Sequence, residues 1–323
     1  MKIPLAAQLA RIAVLAALTL FTAAGACAAD GNFPSHSIAL YTPFPGYNDA
    51  MARLIAKKMT EKLGQPFVVE NLPGAAGAIA AGKVKSAPAD GYTLLFGSNG
   101  MFTINTLFHK RLGYKPSDFV PISMAYSDPM LLLVTPSLPV HNVKELLDYA
   151  RANPGKVTFG SSGVGTITHL AGEMLKFQSH TNMAHVPYKG TAQALTDLIG
   201  GRISMLFFPP QDAMQYIQGG KVRALAISTR TRSHTLPDIP TLDESGLHGY
   251  DLQVWYGFFA PAGTPEAVIM KLQQAVAYAV RALDLPSRDL VPGGNSPGDF
   301  ARQIDKESGQ LGKLVRDAKL VSQ

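Results

Sequence analysis

Cysteine is nearly missing from this chain. The single one, Cys27, stands in a stretch of small residues, Thr22-Ala23-Ala24-Gly25-Ala26-Cys27-Ala28-Ala29. Cleavage after Ala28 would leave no cysteine at all, which excludes a disulfide framework, a thiolate metal site and a thiol nucleophile. Charge is sparse too, at 16% of residues. Lysines and arginines are scattered, with no basic block and no interleaved aromatics, so a nucleic-acid partner is not expected. Beyond the first residues, no apolar run is long enough to cross a bilayer.

What is present begins with an export signal. Lys2 and Arg11 precede the apolar run Ile12 to Phe21, and Ala26-Cys27-Ala28 makes an A-x-A cleavage site. We expect a signal peptide over residues 1–28. A lipoprotein acylated at Cys27 is the weaker alternative, because Ala24 stands where a larger aliphatic residue is usual. The formal charge of +6 falls by two with Lys2 and Arg11. The remainder, about 295 residues, exceeds one comfortable core and predicts two domains.

The chain then says nearly the same thing twice. Ile38 to Thr42 reads as a strand, Pro43 to Asn48 as a turn, and a helix from about Asp49 carries Ala52, Ile55, Met59 and Leu63 on one face. Phe67 to Glu70, Tyr92 to Phe96 and Pro121 to Ala125 are further strands, and Leu131 to Pro136 leads to a helix capped by Asn142 with Glu145. The second round opens at Val157-Thr158-Phe159-Gly160-Ser161-Ser162-Gly163-Val164-Gly165-Thr166, a strand breaking into a small-residue loop before a helix with His169, Leu170 and Glu173. Strands follow at Met183 to Val186, Ile203 to Phe208, Val222 to Ile227 and Leu252 to Pro261, and a last helix starts near Pro297. Parallel strands joined by helices give an α/β fold of two doubly wound sheets. We place one lobe at residues 29–126 with 250–323 and the other at 127–249. Loops at the carboxyl ends of both sets of strands then share a cleft, which hinge motion closes.

Several motifs resemble one family. Gly64-Gln65-Pro66-Phe67-Val68-Val69-Glu70-Asn71, with Pro73-Gly74-Ala75 and Gly77, then Asp90-Gly91-Tyr92-Thr93-Leu94-Leu95, is similar to the substrate-binding proteins of tripartite tricarboxylate transporters, also called Bug or TctC proteins. So are His185-Val186-Pro187-Tyr188-Lys189-Gly190, Leu236-Pro237-Asp238-Ile239-Pro240-Thr241 with Glu244 and Gly246, and Ala260 to Pro265. The resemblance implies a periplasmic, Venus-flytrap (type II-like) binding protein without cofactor, expected as a monomer. It would capture a small organic acid, a di- or tricarboxylate or an aromatic carboxylate, and deliver it to the membrane permease. It also implies that backbone amides and small polar side chains of the two first strand–helix loops hold the carboxylate.

Carried onto this chain, the first loop is Thr42, Phe44, Pro45, Gly46, Tyr47, Asn48 and Asp49. It departs from the family's Pro-Gly-Gly, so Tyr47 or Phe44 would reach the cleft and favour a flat or partly apolar ligand. The counterpart is Ser161, Ser162, Gly163, Val164, Gly165, Thr166 and His169, whose hydroxyls and outward amides suit an anion. Glycines there could merely shape a turn; their recurrence at the same stage of both rounds favours binding. Ser98, Asn99 and His185, at strand ends, complete the candidates, with capping or structural hydrogen bonding as their bland readings. Trp255 reads as core or hinge packing.

The competing class is a secreted hydrolase. Gly160-Ser161-Ser162-Gly163-Val164 fails the nucleophile elbow at its last position, no metal-ligand spacing occurs, and Gly163-Val164-Gly165 lacks a third dinucleotide-binding glycine. Gly74 to Gly77 has no Lys-Ser/Thr to complete a phosphate loop. A sensor presenting a bound carboxylate to a signalling receptor would use the same cleft.

Overall fold

The computed structural model describes residues 33–109 and 111–320, so the expected signal peptide, Cys27 included, lies outside the described residues. The first round contains β1 (Ile38–Thr42), α1 (Tyr47–Leu63), β2 (Phe67–Asn71), α2 (Ala78–Lys85), β3 (Thr93–Ser98), the short α3 (Asn105–Phe108) and β4 (Phe119–Asp128). The second contains β5 (Leu131–Val134), α4 (Val143–Ala152), β6 (Thr158–Ser161), α5 (Ile167–Ser179), β7 (Ala184–Pro187), α6 (Thr191–Ile199), β8 (Met205–Phe208), α7 (Pro210–Gln218) and β9 (Arg223–Ile227). The chain closes with β10 (Val254–Pro261), α8 (Glu266–Ala282), β11 (Val291–Pro292) and α9 (Pro297–Asp317).

Local chemistry accounts for the element ends. Gly64 stops α1 in the left-handed conformation, φ 73°, returning its N–H to Thr60 O. Asn142 caps α4 by accepting the Glu145 N–H at 2.9 Å. The apolar stripe of α1 is buried at Met51, Ala52, Ile55, Ala56 and Met59.

The strands form two sheets, ordered β11-β4-β10-β3-β1-β2 and β7-β6-β8-β5-β9. Parallel strands joined by helices were the expectation, and each sheet adds antiparallel strands to such a parallel set. β1 runs parallel to β2 and β3, and β6 to β7 and β8. β10 is antiparallel to β3 and β4, and β5 to β8 and β9. The reason is topological: a chain arriving from the other lobe enters at the edge where the parallel strands end, and so must run against them. Thr42, Asn71, Ser98 and Asp128 therefore mark one cleft edge, and Ser161, Pro187, Phe208 and Ile227 the other.

Helices cover both faces of each sheet. α1 and α8 bury Ile55, Met59, Leu272 and Val276 against one face of the first sheet, and Ala80, Val84, Phe300 and Ile304 pack on the other. In the second lobe, Leu146 of α4 and Leu170 of α5 face one side, Leu195 of α6 and Ala213 of α7 the other. The far end of α9 joins that second core through Leu311, Leu314 and Val315. One helix thus braces both lobes.

Candidate functional site

The first-lobe loop is built from below. Thr42, fully buried, accepts the Phe44 N–H on Oγ1 at 3.3 Å. The Phe44 carbonyl takes Asn71 Nδ2 at 2.7 Å, and the same amide reaches Asp49 Oδ1 at 3.1 Å. Asp49 also pairs with Arg53 at 2.8 Å, and that hydrogen bond holds its carboxyl below the ordinary range. The Phe44 ring stands edge-on to Tyr256 at 5.2 Å and Phe96 at 6.3 Å, so it packs on the lobe's own core. Pro45 and Gly46 are exposed.

Gly46, at φ 74° and ψ −131°, caps α1 without a side chain. Its carbonyl receives the Ala50 N–H at 3.1 Å. The N–H groups of Tyr47, Asn48 and Asp49 have no hydrogen-bond partner among the described residues. They face outward as a helix N-terminus does, with partial positive charge. Asn48 Oδ1 accepts from the Tyr126 hydroxyl at 2.9 Å, which fixes the helix start over β4. The Tyr47 hydroxyl looks across the cleft. Burial first and then the Asp128 carboxylate push its pKa up, while Arg288 and, from α7 of the other lobe, Gln211 act against that shift.

The second-lobe loop has closed on itself, against the expectation of outward amides. Ser162 N–H donates to Thr168 Oγ1 at 3.0 Å, Gly163 N–H to Ser161 Oγ at 3.1 Å, and Gly165 N–H to His169 Nδ1 at 3.2 Å. Thr166 caps α5 by accepting the His169 N–H at 3.4 Å, and its own hydroxyl donates to Gly163 O at 2.7 Å. The hydroxyls that suggested an anion cradle satisfy the loop's own backbone. Val164, at the tip, is 61% exposed. Gly165, at φ 74°, lies under Phe108 of α3, where an added Cβ would come within 2.9 Å of the ring.

Beneath this loop, His169 and His185 stack with centroids 4.1 Å apart. Burial pushes both imidazoles down to about 4, aided by Lys176 at His169 and by His169 itself at His185. Because His169 Nδ1 accepts the Gly165 N–H, its proton sits on Nε2, toward Glu173 Oε1 at 3.9 Å. His185 Nε2 lies 2.6 Å from Ser161 Oγ. That Ser–His contact has the length of a nucleophile–base pair, yet Ser161 is 0% exposed and its oxygen is already engaged by Gly163. A histidine with a pKa near 4 is also a weak base.

Ser98 is buried and pairs with Tyr256 across the sheet. Asn99 faces α9: its Nδ2 donates to Gln253 O and Glu307 Oε1, both at 2.9 Å, and Glu307 also takes the Trp255 indole N–H. The structure therefore gathers Gly46, Tyr47, Asn48 and the first turn of α1 at the cleft, and puts Asn99 with Trp255 in the crossing between lobes. The two predicted loops meet different partners, Tyr47 reaching Gln211 and Gly165 covered by Phe108. Asp128, Gln211 and Arg288 were missed. Only the Pro209-Pro210 punctuation before Gln211 could have pointed to one of them. A cavity of about 350 Å³ lies apart from these loops, between α5 and α9, lined by Phe177, Gln178, Trp255 and Glu307 among others. Among the described residues no group of three or more His, Cys, Asp or Glu is disposed to hold a metal.

The chain is similar to known proteins in sequence and fold. The sequence profile described as tripartite tricarboxylate transporter family receptor matches residues 51–320. A UPF0065 protein in the tcbD-tcbE intergenic region of a Pseudomonas species is 36% identical over 329 residues, covering 99% of this chain and 98% of its own. Among solved structures, R. palustris Rpa4515 with adipate is 36% identical, with a TM-score of 0.77, and the match covers 89% of this chain and 99% of that one. MatC from Rhodopseudomonas palustris with bound malate is 30% identical, with a TM-score of 0.70, covering 88% and 100%.

Proposed function

The chain belongs to the tripartite tricarboxylate transporter receptor family, and from that membership we propose that it captures a small carboxylate in the cleft between its lobes. The observation that carries this reading is the row of unpartnered N–H groups at Tyr47, Asn48 and Asp49, set opposite Gln211 of the second lobe with the Arg288 cation nearby. The related structures with adipate and malate support a carboxylate as guest. An anion there replaces water on donors that the fold leaves open, and each charge-assisted bond is worth about 1.5–3 kcal/mol.

Binding acts without chemistry on the ligand. The lobes divide at about residues 126 and 250, close around the anion by hinge motion, and the closed form is selected by contacts that only the ligand-filled cleft makes. Delivery to the membrane permease of a tripartite transporter, from the periplasm, completes the proposal.

Calorimetry with a panel of organic acids tests it. A dicarboxylate should bind, and Gly46→Val should weaken that binding at least tenfold. A Cβ at Gly46 meets nothing within 4 Å, but φ 74° is closed to valine, so the loop must turn and carry the amides with it. Absence of binding by every acid in the panel, or unchanged affinity in the variant, refutes the reading.

A further inference from the structure

An anion site is an unexpected neighbour for Asp128. This residue ends β4 at the cleft edge and is 7% exposed. Its recorded hydrogen bond comes from Gln211 Nε2 to Oδ1 at 3.3 Å, beyond the usual N–H···O range. Burial first, then the charges of Asp212 on α7 and Asp289 after α8, raise its carboxyl to about 7. Tyr47, Tyr126 and Tyr256 also lie in its field. Among the described residues no lysine or arginine forms an ion pair with it; the Arg288 cation acts on the Tyr47 hydroxyl instead. A buried carboxylate without a counter-charge is destabilising, and such groups concentrate at functional sites.

A second observation points the same way. Gln211 Oε1 is buried without any hydrogen-bond partner. Asp128, Gln211 and Tyr47 are mutual neighbours, each influencing another's ionisation or hydrogen bonding. Together they bring a carboxylate, an amide carbonyl and a phenol oxygen to one corner of the cleft. An ammonium carries three donors and the missing positive charge.

We infer that the ligand is a zwitterionic amino carboxylate, its acid held at the first turn of α1 and its ammonium held by Asp128, Gln211 and Tyr47. The inference rests on the carboxylate reading above and adds the ligand's second group. Arg288, whose charge also acts on the Tyr47 hydroxyl, then serves the acid end.

Calorimetry on the mature protein at pH 8 with adipate, 2-aminoadipate and 2-hydroxyadipate, and with succinate, aspartate and malate, separates the possibilities. The aminated member of each set should bind at least tenfold tighter than its plain parent. Asp128→Asn should erase that advantage while leaving the plain acids bound. In the native protein, affinity for the aminated acid should fall about tenfold between pH 8 and pH 6 as Asp128 takes up its proton, and affinity for the plain acid should not. Equal or tighter binding of the plain acids overturns the inference and leaves the carboxylate reading standing. An equal gain from the hydroxyl overturns the ammonium assignment. Failure of all six acids refutes the carboxylate reading itself. The comparison within the unmodified protein holds even if the variant does not fold.

Discussion

His169 and His185 show how the site's residues answer to pH. Each is held neutral, its pKa pushed down from 6.5 to about 4 chiefly by burial. The unfolded chain therefore binds those protons first, and stability falls as pH drops from 6.5 towards 4. Glu307 works in the opposite sense. Burial, countered by the Trp255, Asn99 and Thr103 hydrogen bonds, raises its carboxyl from 4.5 to about 7, so stability falls as pH rises through that window. Asp128 adds to the same side. The opposing groups nearly cancel between pH 4.5 and 6.5, and the native protein should show a shallow profile there. Glu307→Gln removes one acid contribution. Its stability in urea should then drop more steeply on acidification, by up to about 1.4 kcal/mol per pH unit. Parallel curves for the two proteins would show that Glu307 does not titrate in this range.

At the scale of the element, two helix beginnings at the same stage of the two rounds have opposite fates. α1 starts at Gly46, which has no side chain to bend back, and its first amides stay open. α5 starts among Ser161, Thr166 and Thr168, and those hydroxyls with His169 Nδ1 take up the amides. Thr168→Val should therefore cost about 1–3 kcal/mol in urea unfolding by orphaning the Ser162 N–H, yet change dicarboxylate affinity less than threefold. A large loss of affinity with unchanged stability would return the ligand to this loop. The contrast also explains what could be read from the chain beforehand. Strand and helix order, the Gly64 stop and the Asn142 cap were legible, because each follows from local periodicity or from one residue's backbone. The fate of the small-residue loop was not, since serine and threonine both bind anions and compete for nearby amides. Asp128, Gln211 and Arg288 come from three distant segments, so no spacing joins them before the sheets are built. The antiparallel course of β5 and β10 was equally hidden, for it depends on which lobe the chain arrives from.

For the whole molecule, the consequence lies in α9. Hinge closure needs lobes that move as bodies, and the chain crosses between them at Pro129-Met130 and between β9 and β10. Yet α9 sets Phe300 and Ile304 in the first core and Leu311, Leu314 and Val315 in the second. Glu307, midway, ties the helix to Trp255 of the crossing strand and to Asn99 at the end of β3. The helix thus couples the lobes energetically while sitting away from Gly46 and the first turn of α1. Unfolding of the intact protein should be one calorimetric transition. Replacing Leu311 and Leu314 with alanine removes buried contacts worth about 2–5 kcal/mol each, and the loss should fall on the second lobe's core. Two separate transitions should then appear, the less stable one belonging to the lobe that contains α5. Carboxylate affinity should drop as well, because part of the binding energy is used to bring loosened lobes together. A single transition shifted to lower temperature would mean that the crossing strands alone carry the coupling and that α9 only adds to one core.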